Sequence, residues 1–334
     1  MTLQLPHGEL RTQAAALARA AAWAELASLL GEHADDGVRE VAELVTLRAE
    51  SLMRTGQPRE ARGWLADTLP ELARTREHVA LRRATNLLGA AHFALGELEA
   101  AREAFERALE LGQEDEDDLT VARATNNLGA IANVRGRREQ ALALYQLAIP
   151  AYQRLGNALG LAQSFHNMAI TFRDLGQLGR ADECERRAIE FGRQAGSAHV
   201  VALAQLGRAD LSLRGGDAVL AEAGARHAAR SFAELGDPIN QADALRVIGA
   251  AVLAQGRHEA ARVALDSALA LARAHGSALH EAEARRGLAE LHAAAGDPSG
   301  ARAHAEAALH LFERLEAATE ADELRGWIAG QGGD

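Results

Sequence analysis

The 334-residue sequence is poor in the residues that crosslink chains or interrupt helices. It contains one cysteine, Cys184, so no disulfide can form within the chain and a reducing compartment is expected. Only 6 prolines are present, which favours helix over strand. Aromatic residues make up 4% of the chain although apolar residues reach 48%, so the core must be built mainly from alanine and aliphatic side chains.

Several functional classes also lack their usual signals. The net charge of −11 argues against a nucleic-acid partner, because such a surface is normally basic. The N-terminus has no basic and apolar leader, and no uncharged apolar run is long enough to span a bilayer, so we expect a cytoplasmic protein with no membrane partner. The motifs GxxxxGKS/T, HExxH, CxxC and GxSxG are absent. We therefore expect no enzyme activity, no catalytic residue, no metal site and no cofactor.

What the sequence does have is a fixed period of 40 residues. A glycine returns once per period, and an alanine follows it five residues later. The glycines are Gly56, Gly96, Gly136, Gly176, Gly216, Gly256 and Gly296, and the alanines are Ala61, Ala101, Ala141, Ala181, Ala221, Ala261 and Ala301. A period of this length marks a repeat architecture, in which each unit packs mainly on its neighbours.

Each period indicates two helices joined by tight turns. In the unit at 77–112, apolar spacing predicts a first helix over 77–95, a turn at Gly96 and a second helix over 98–111. A second set of glycines precedes residues whose side chains cap helix N-termini. These pairs are Gly156-Asn157, Gly196-Ser197, Gly236-Asp237 and Gly276-Ser277.

The fold class is therefore all-α: an α-solenoid with about seven regular helix pairs. We expect an irregular pair of N-terminal capping helices in residues 1–37, seven 40-residue units in 38–315, and a C-terminal capping helix and tail in 316–334. Trp23, Trp64 and Trp327 fall near the ends. They either cover terminal cores or mark end-to-end self-association, because a solenoid end is an unpaired apolar face.

An acidic run, residues 113–118, interrupts the pattern after the second unit, because Gly112 comes earlier than the period requires. The sequence predicts a loop here. The carboxylates are either solvated or form a docking site for a basic partner.

At this point the residues resemble the tetratricopeptide repeat family, whose pattern joins a Leu-Gly pair to a later Ala-x3-Phe. Leu88-Gly89 is followed by Ala101 and Phe105, and Leu128-Gly129 by Ala141 and Tyr145. The resemblance covers about residues 38–329. The tryptophan of the pattern is missing, and the period is 40 rather than about 34 residues. The longer period looks like that of kinesin light chains, spindle adaptors with Leu-Gly-Asn repeats and the sensor arrays of bacterial regulators.

The resemblance implies a right-handed superhelix that binds a protein or an extended peptide in its concave groove. By analogy with that packing, the predicted groove residues are Arg83, Asn86, Phe93, Arg123, Asn126, Asn133, Gln163, His166 and Arg173. In later units the same positions are Leu203, Leu206, Asp210, Leu213, Asp243, Arg246, Ala250, Leu253, Glu283, Arg286, Glu290 and Ala293. Asparagine can clamp a peptide backbone and arginine can bind a carboxylate, so the predicted partner is partly acidic.

Other interpretations of these residues stay open. The groove residues could instead be solvated helix surface or partners in intramolecular salt bridges. At the level of function, the first hypothesis is a non-catalytic adaptor or regulator that binds a protein segment. The alternatives are a scaffold that self-assembles into a homo-oligomer through its ends, and a sensor of a peptide or small-molecule signal acting on a separate effector. The alanine- and arginine-rich composition suggests a GC-rich bacterial source.

Overall fold

The structure, a computed structural model, describes residues 7–34, 38–39 and 41–330. The chain ends and the predicted boundary at residue 37 lie outside these residues. Seventeen α-helices and no strands occur in the described part of the chain. They are α1 (His7–Arg19), α2 (Trp23–Glu32), α3 (Ala42–Arg54), α4 (Pro58–Arg74), α5 (His78–Ala94), α6 (Leu98–Glu114), α7 (Asp118–Val134), α8 (Arg138–Arg154), α9 (Ala158–Asp174), α10 (Leu178–Gln194), α11 (Ala198–Arg214), α12 (Ala218–Glu234), α13 (Pro238–Ala254), α14 (His258–Ala274), α15 (Ala278–Ala294), α16 (Pro298–Arg314) and α17 (Ala318–Gly330).

The predicted all-α solenoid is confirmed. Helices α3 to α16 form seven pairs, α1 and α2 precede them, and α17 follows without a partner. Contacts divide the chain into two compact units, Met1–Ala124 and Thr125–Asp334, which we call the N-terminal and C-terminal units. Within the C-terminal unit each first helix of a pair also packs on the first helix of the next: α9 on α11, α11 on α13, and α13 on α15.

The turn glycines adopt the left-handed backbone that their position predicts. All seven glycines of the 40-residue period have φ between 71° and 89°, a region that only glycine enters without a steric penalty. The turns without glycine keep the same geometry, since Arg76, Glu116 and Glu316 have φ between 53° and 57°. The turn is therefore imposed by the packing of the helices, and glycine only makes it easier.

The predicted acidic loop at 113–118 is wrong in its details. Helix α6 continues through Glu114, the turn comes at Glu116, and α7 begins at Asp118. Asp117 caps α7, because its Oδ1 accepts hydrogen bonds from the backbone N–H groups of Leu119 and Thr120 at 3.1 and 3.2 Å. The nearby guanidinium of Arg82 in α5 pairs with Asp117, Nε to Oδ2, at 3.0 Å. The segment is thus ordinary repeat structure, and three of its carboxylates, Glu114, Asp115 and Asp117, are in ion pairs.

The predicted caps are mostly confirmed. Asn157 Oδ1 accepts from Gly160 N at 2.8 Å, and Asp237 Oδ1 accepts from Asn240 N at 3.0 Å. Ser197 Oγ accepts a longer bond, 3.4 Å, from Val200 N. Ser277 forms no such cap, because its hydroxyl lies 2.7 Å from Nδ1 of His280 instead.

Close approach between the two helices of a pair depends on glycines in the first helix. A Cβ on Gly89 would lie 2.6 Å from the ring of Phe105, and a Cβ on Gly129 would lie 2.5 Å from the ring of Tyr145. Both rings are buried, with 2% and 1% exposure. The alanines that follow the turn glycines are equally buried, at 1% or less. The Leu-Gly and alanine positions of the repeat are therefore packing positions.

We expect Gly129→Ala to destabilise the C-terminal unit by about 1–3 kcal/mol, because the added methyl group must displace Tyr145. The matched control is Gly179→Ala in α10, where a Cβ would meet no atom within 4 Å. There alanine should be neutral or stabilising by up to about 1 kcal/mol. Urea unfolding followed by circular dichroism measures both, and equal effects at the two positions would contradict this packing.

Candidate binding cavity in the C-terminal unit

The nine predicted groove residues lie on first helices of their pairs, four in the N-terminal unit and five in the C-terminal unit. In the N-terminal unit Arg83, Asn86, Phe93 and Arg123 are half-buried. Arg83 Nη2 already pairs with the carboxylate of Glu50 in α3. Arg123 forms no ion pair with the described residues.

In the C-terminal unit the predicted asparagines are bound within the protein. Asn126 is 4% exposed, and its Oδ1 accepts a hydrogen bond from the buried Ser164 Oγ at 3.0 Å. Asn133 Nδ2 donates to Asp174 Oδ2 at 3.2 Å. Both bonds join a first helix to the next first helix, α7 to α9. These amides therefore hold neighbouring repeats together, as the intramolecular interpretation of the sequence anticipated.

His166 also has an internal partner. Its Nδ1 lies 3.0 Å from Oε2 of Glu185, a carboxylate of α10 that is 1% exposed. The carboxylate fits because Gly207 of α11 has no side chain, and a Cβ there would lie 2.0 Å from Oε1. Burial raises the pKa of Glu185, and the interactions with His166 and with the guanidinium of Arg173 act against that rise. Burial likewise raises the pKa of neighbouring Cys184 to about 11, so its thiol stays neutral.

Arg173 begins a series of charges that alternate in sign from one first helix to the next. Its Nη1 lies 3.2 Å from Asp210 Oδ2 of α11. On the next two helices, Arg246 Nε of α13 lies 3.6 Å from Glu283 Oε2 of α15. We call Arg173, Asp210, Arg246 and Glu283 the charge ladder. The ladder joins four successive repeats and leaves each of its charges opposite a partner.

The pKa of Asp210 shows how strongly the neighbouring guanidinium groups act on this carboxyl. Burial acts to raise the pKa of this carboxyl, but the guanidinium groups of Arg246, Arg173 and Arg214 outweigh burial and lower the pKa to about 2. A carboxyl whose pKa is lowered in the folded state stabilises the protein above its unfolded pKa, and this contribution is lost as the pH falls towards 2. Asp210 is therefore ionised at neutral pH.

Three residues of the ladder, Asp210, Arg246 and Glu283, line a cavity of about 360 Å³. Four helices contribute to it: α11, α13, α15 and α17. Among the lining residues are Asp210, Leu213, Arg246, Ala250, Glu283 and Trp327. The cavity combines apolar surface with charged groups, and its volume is within the usual range for ligand sites, roughly 300–1,000 Å³.

The start of α17 meets the turn between α7 and α8, which closes the C-terminal unit on itself. Arg135 Nη2 lies 3.0 Å from Glu316 Oε2, and Arg138 Nη1 donates to Thr319 Oγ1 at 3.0 Å. Arg138 Nη2 also lies 3.9 Å from Glu320 Oε1, and burial raises the pKa of this carboxyl. We call this set of contacts the closure. It holds α17 in place as a wall of the cavity.

Sequence reasoning found part of this site. Seven of the twelve positions expected to face inward in later units, among them Leu213, Ala250 and Glu283, line the cavity. The other five, Leu203, Leu206, Asp243, Leu253 and Ala293, are not among its lining residues. Sequence reasoning missed Trp327 and the closure. The capping helix was treated as an end, and the two sides of the closure are 181 residues apart, from Arg138 to Thr319, so no local pattern connects them.

A family model of the tetratricopeptide repeat matches residues 40–114 and 120–194. This chain is a tetratricopeptide repeat protein. The later helix pairs keep the same lengths and the same glycine turns, so the repeat continues beyond the matched residues. No curated protein matches the sequence significantly.

Solved structures with the same fold have low sequence identity, so the likeness concerns the fold alone. A Rap protein complexed with competence and sporulation factor is 14% identical, with a TM-score of 0.63 over 98% of this chain and 97% of that chain. A chain of the APC/C hetero-tetramer Cut9-Hcn1 is 14% identical, with a TM-score of 0.60 over 90% of this chain and 51% of that one. The STAND protein PH0952 of Pyrococcus horikoshii, which has a tetratricopeptide repeat sensor, is 15% identical, with a TM-score of 0.53 over 81% of this chain and 43% of its own.

The described residues offer neither a metal site nor a helix that could span a bilayer. Across residues 7–34, 38–39 and 41–330, no three His, Cys, Asp or Glu side chains are grouped so as to hold a metal ion. Over the same ranges no helix combines the length and apolarity that crossing a bilayer requires.

The closure can be tested with an engineered disulfide between Gly136 and Thr319. A Cβ at Gly136 would lie 4.0 Å from Cβ of Thr319, within the range for a disulfide, and Cys184 is buried and does not compete. We expect Gly136→Cys/Thr319→Cys to form an intramolecular disulfide on mild oxidation, detected by mass spectrometry after proteolysis.

The matched control is Gly176→Cys/Thr319→Cys. Gly176 occupies the equivalent turn one repeat later and has the same left-handed backbone, but a Cβ there would meet no atom within 4 Å. Free thiols in the first pair, or equal crosslinking of both pairs, would contradict the closure.

Proposed function

We propose that this protein is a non-catalytic adaptor or regulator whose C-terminal unit binds an extended protein or peptide segment in the cavity. The observation that carries the proposal is the cavity itself, which lies where successive first helices present their inward residues. In a repeat protein these positions form one continuous surface, because each unit places equivalent residues side by side.

The composition of the wall supports a peptide ligand. Leu213, Ala250 and Trp327 offer apolar surface for side chains, and the ladder residues Asp210 and Glu283 offer polar groups for backbone or side-chain contacts. The ladder charges are fixed by their mutual ion pairs before any ligand arrives. A site that is organised in advance loses less conformational entropy on binding.

Some of the predicted groove residues that do not line the cavity remain candidates for ligand contacts. Gln163 and Phe93 are half-buried and form no hydrogen bond or ion pair with the described residues, and Arg123 keeps an unpaired charge. Gln163 is our candidate for a contact along the rest of the segment bound by the C-terminal unit. Phe93 and Arg123 belong to the N-terminal unit and are candidates for binding there. Asn126, by contrast, is held by Ser164 and has a structural role.

Proteins of similar fold are known in complexes. The Rap structure contains competence and sporulation factor, and Cut9 is assembled with Hcn1. The Rap protein matches this chain over nearly the whole length of both. These complexes support binding as the general class of function and leave the partner of this chain to experiment.

A sensor of a short peptide or small molecule is the second candidate. The observation that favours it is the closure, because α17 limits the cavity to about 360 Å³, too little for a folded domain. The tetratricopeptide repeat sensor of PH0952 shares the fold. In this case the bound signal would control a separate effector.

The test uses a pool of random hexapeptides, dialysed against the full chain and identified by mass spectrometry. We expect the chain to retain a subset of the pool, and Ala250→Phe to reduce that retention at least about tenfold, because the ring fills the cavity and a loss of about 1.4 kcal/mol suffices. Ala260→Phe is the matched control, on an exposed position of α14. Retention that is absent, or that survives Ala250→Phe, would contradict binding in the cavity.

A further inference from the structure

The charges that line the cavity are not all paired. Asp210 is opposite Arg173 and lies 3.0 Å from Arg214, measured from Oδ2 to Nε. Glu283 is opposite Arg246. These pairs leave the ladder side of the cavity close to neutral.

The remaining guanidinium is also engaged. Arg286 of α15 lies over the ring of Phe312, with 5.8 Å from its guanidinium carbon to the ring centroid. Its positive charge also acts on the carboxyl of Glu320 at the closure, where it lowers a pKa that burial raises. Arg286 therefore faces an aromatic ring and a neighbouring carboxyl within the protein.

Two carboxylates remain. Glu290 of α15 and Glu323 of α17 line the cavity, are exposed, and form no hydrogen bond or ion pair with any described residue. Trp327 lies one helical turn after Glu323 and lines the same cavity. The face of an indole ring attracts cations, and two carboxylates add to that attraction. This side of the cavity thus has two unpaired carboxylates and an aromatic surface, and the guanidinium of Arg286, one helical turn before Glu290, faces Phe312.

We propose that Glu290, Glu323 and Trp327 form a subsite for the basic side chain, arginine or lysine, of the segment bound in the cavity. The inference rests on the proposed function and adds the chemistry of the partner. The aliphatic stem of a basic side chain packs on Trp327 and Leu324, and its charged end reaches the two carboxylates. The net charge of −11 favours the approach of a basic segment over that of an acidic one.

This polarity is opposite to that predicted from the sequence. The sequence interpretation assigned Arg83, Arg123 and Arg173 to a partly acidic partner. Arg123 belongs to the N-terminal unit and forms no ion pair with the described residues. Arg83 and Arg173 differ from it. Both already pair with carboxylates of the chain, Arg83 with Glu50, and Arg173 with Asp174 at 2.8 Å and with Asp210. An acidic ligand would have to displace these partners, whereas a basic one meets carboxylates that have none.

The experiment compares retention of the hexapeptide pool by the wild type and by Glu290→Gln/Glu323→Gln at 0.15 M salt. We expect arginine- and lysine-containing hexapeptides to be enriched on the wild type, and their retention to fall about tenfold in the variant, because a hydrogen bond to a charged group contributes about 1.5–3 kcal/mol. Charge reversal, Glu290→Lys/Glu323→Lys, should shift the enrichment to peptides with aspartate or glutamate. Melting temperatures confirm that each variant is folded.

The control variant is Glu190→Gln/Glu234→Gln, which removes the same net charge from two exposed glutamates on α10 and α12 that form no ion pair in the described structure. It should change retention less than about twofold, since charges farther than about 8 Å are screened at this salt concentration.

The outcomes separate the two proposals. Retention that Ala250→Phe abolishes but Glu290→Gln/Glu323→Gln leaves unchanged would overturn the basic subsite and leave the cavity as the binding site. Enrichment of acidic peptides on the wild type would do the same. An equal loss in the control variant would show that only overall charge matters and would also overturn the subsite. Retention that is absent or insensitive to Ala250→Phe would overturn both.

Discussion

The fold depends on one steric constraint, which is that the two helices of a pair must approach until a ring or an aliphatic side chain of one touches the backbone of the other. Gly89, Gly129 and Gly249 make this contact possible, and at Gly249 a Cβ would lie 2.6 Å from Leu265 Cγ. Because the contact recurs, the two helices of each of these three pairs approach one another equally closely. The inward face of the first helices is a consequence of that repeated geometry.

Charges on the inward face then follow from the stacking. A first helix lies beside the first helix of the next unit, so a charge at one inward position meets the corresponding position of its neighbour. In the C-terminal unit Arg173, Asp210, Arg246 and Glu283 alternate in sign, and the ladder stabilises the alignment of four repeats while neutralising itself. The closure at Arg135 and Arg138 adds α17 as a further wall. The groups left for ligand recognition are the apolar side chains that line the cavity and the lining carboxylates that form no ion pair.

Much of the architecture could be predicted from the sequence, because the helices and turns follow from short sequence patterns that recur in each repeat. The 40-residue period gave the seven pairs, the turn glycines and the buried alanines. The acidic run after Gly112 was misread as a loop because glycine was taken as necessary for the turn, whereas Glu116 adopts the same left-handed backbone under the pressure of packing. The sequence has no glycine at position 116 to indicate the turn, but the packing of the helices still imposes it.

The site was predicted less completely, for a physical reason. The repeat identifies which positions face inward, but it does not say which polar side chains already have partners there. Asn126 and His166 were expected to meet a ligand, and each is bound to a residue on a neighbouring helix, Ser164 or Glu185. Trp327 and the closure depend on contacts between the two ends of the C-terminal unit, which no local pattern records. Pairing and closure are properties of the three-dimensional arrangement.

The central claim is that ligands bind in the cavity of the C-terminal unit, and methyl NMR tests it most directly. With alanine, leucine and valine methyl groups labelled, addition of the hexapeptide pool should shift the resonances of Leu213, Ala250 and Leu324, which line the cavity. The exposed side chains Leu147, Val219 and Val263 serve as reporters elsewhere on the same unit. Shifts at those three reporters, with the cavity methyl groups unchanged, would contradict the claim.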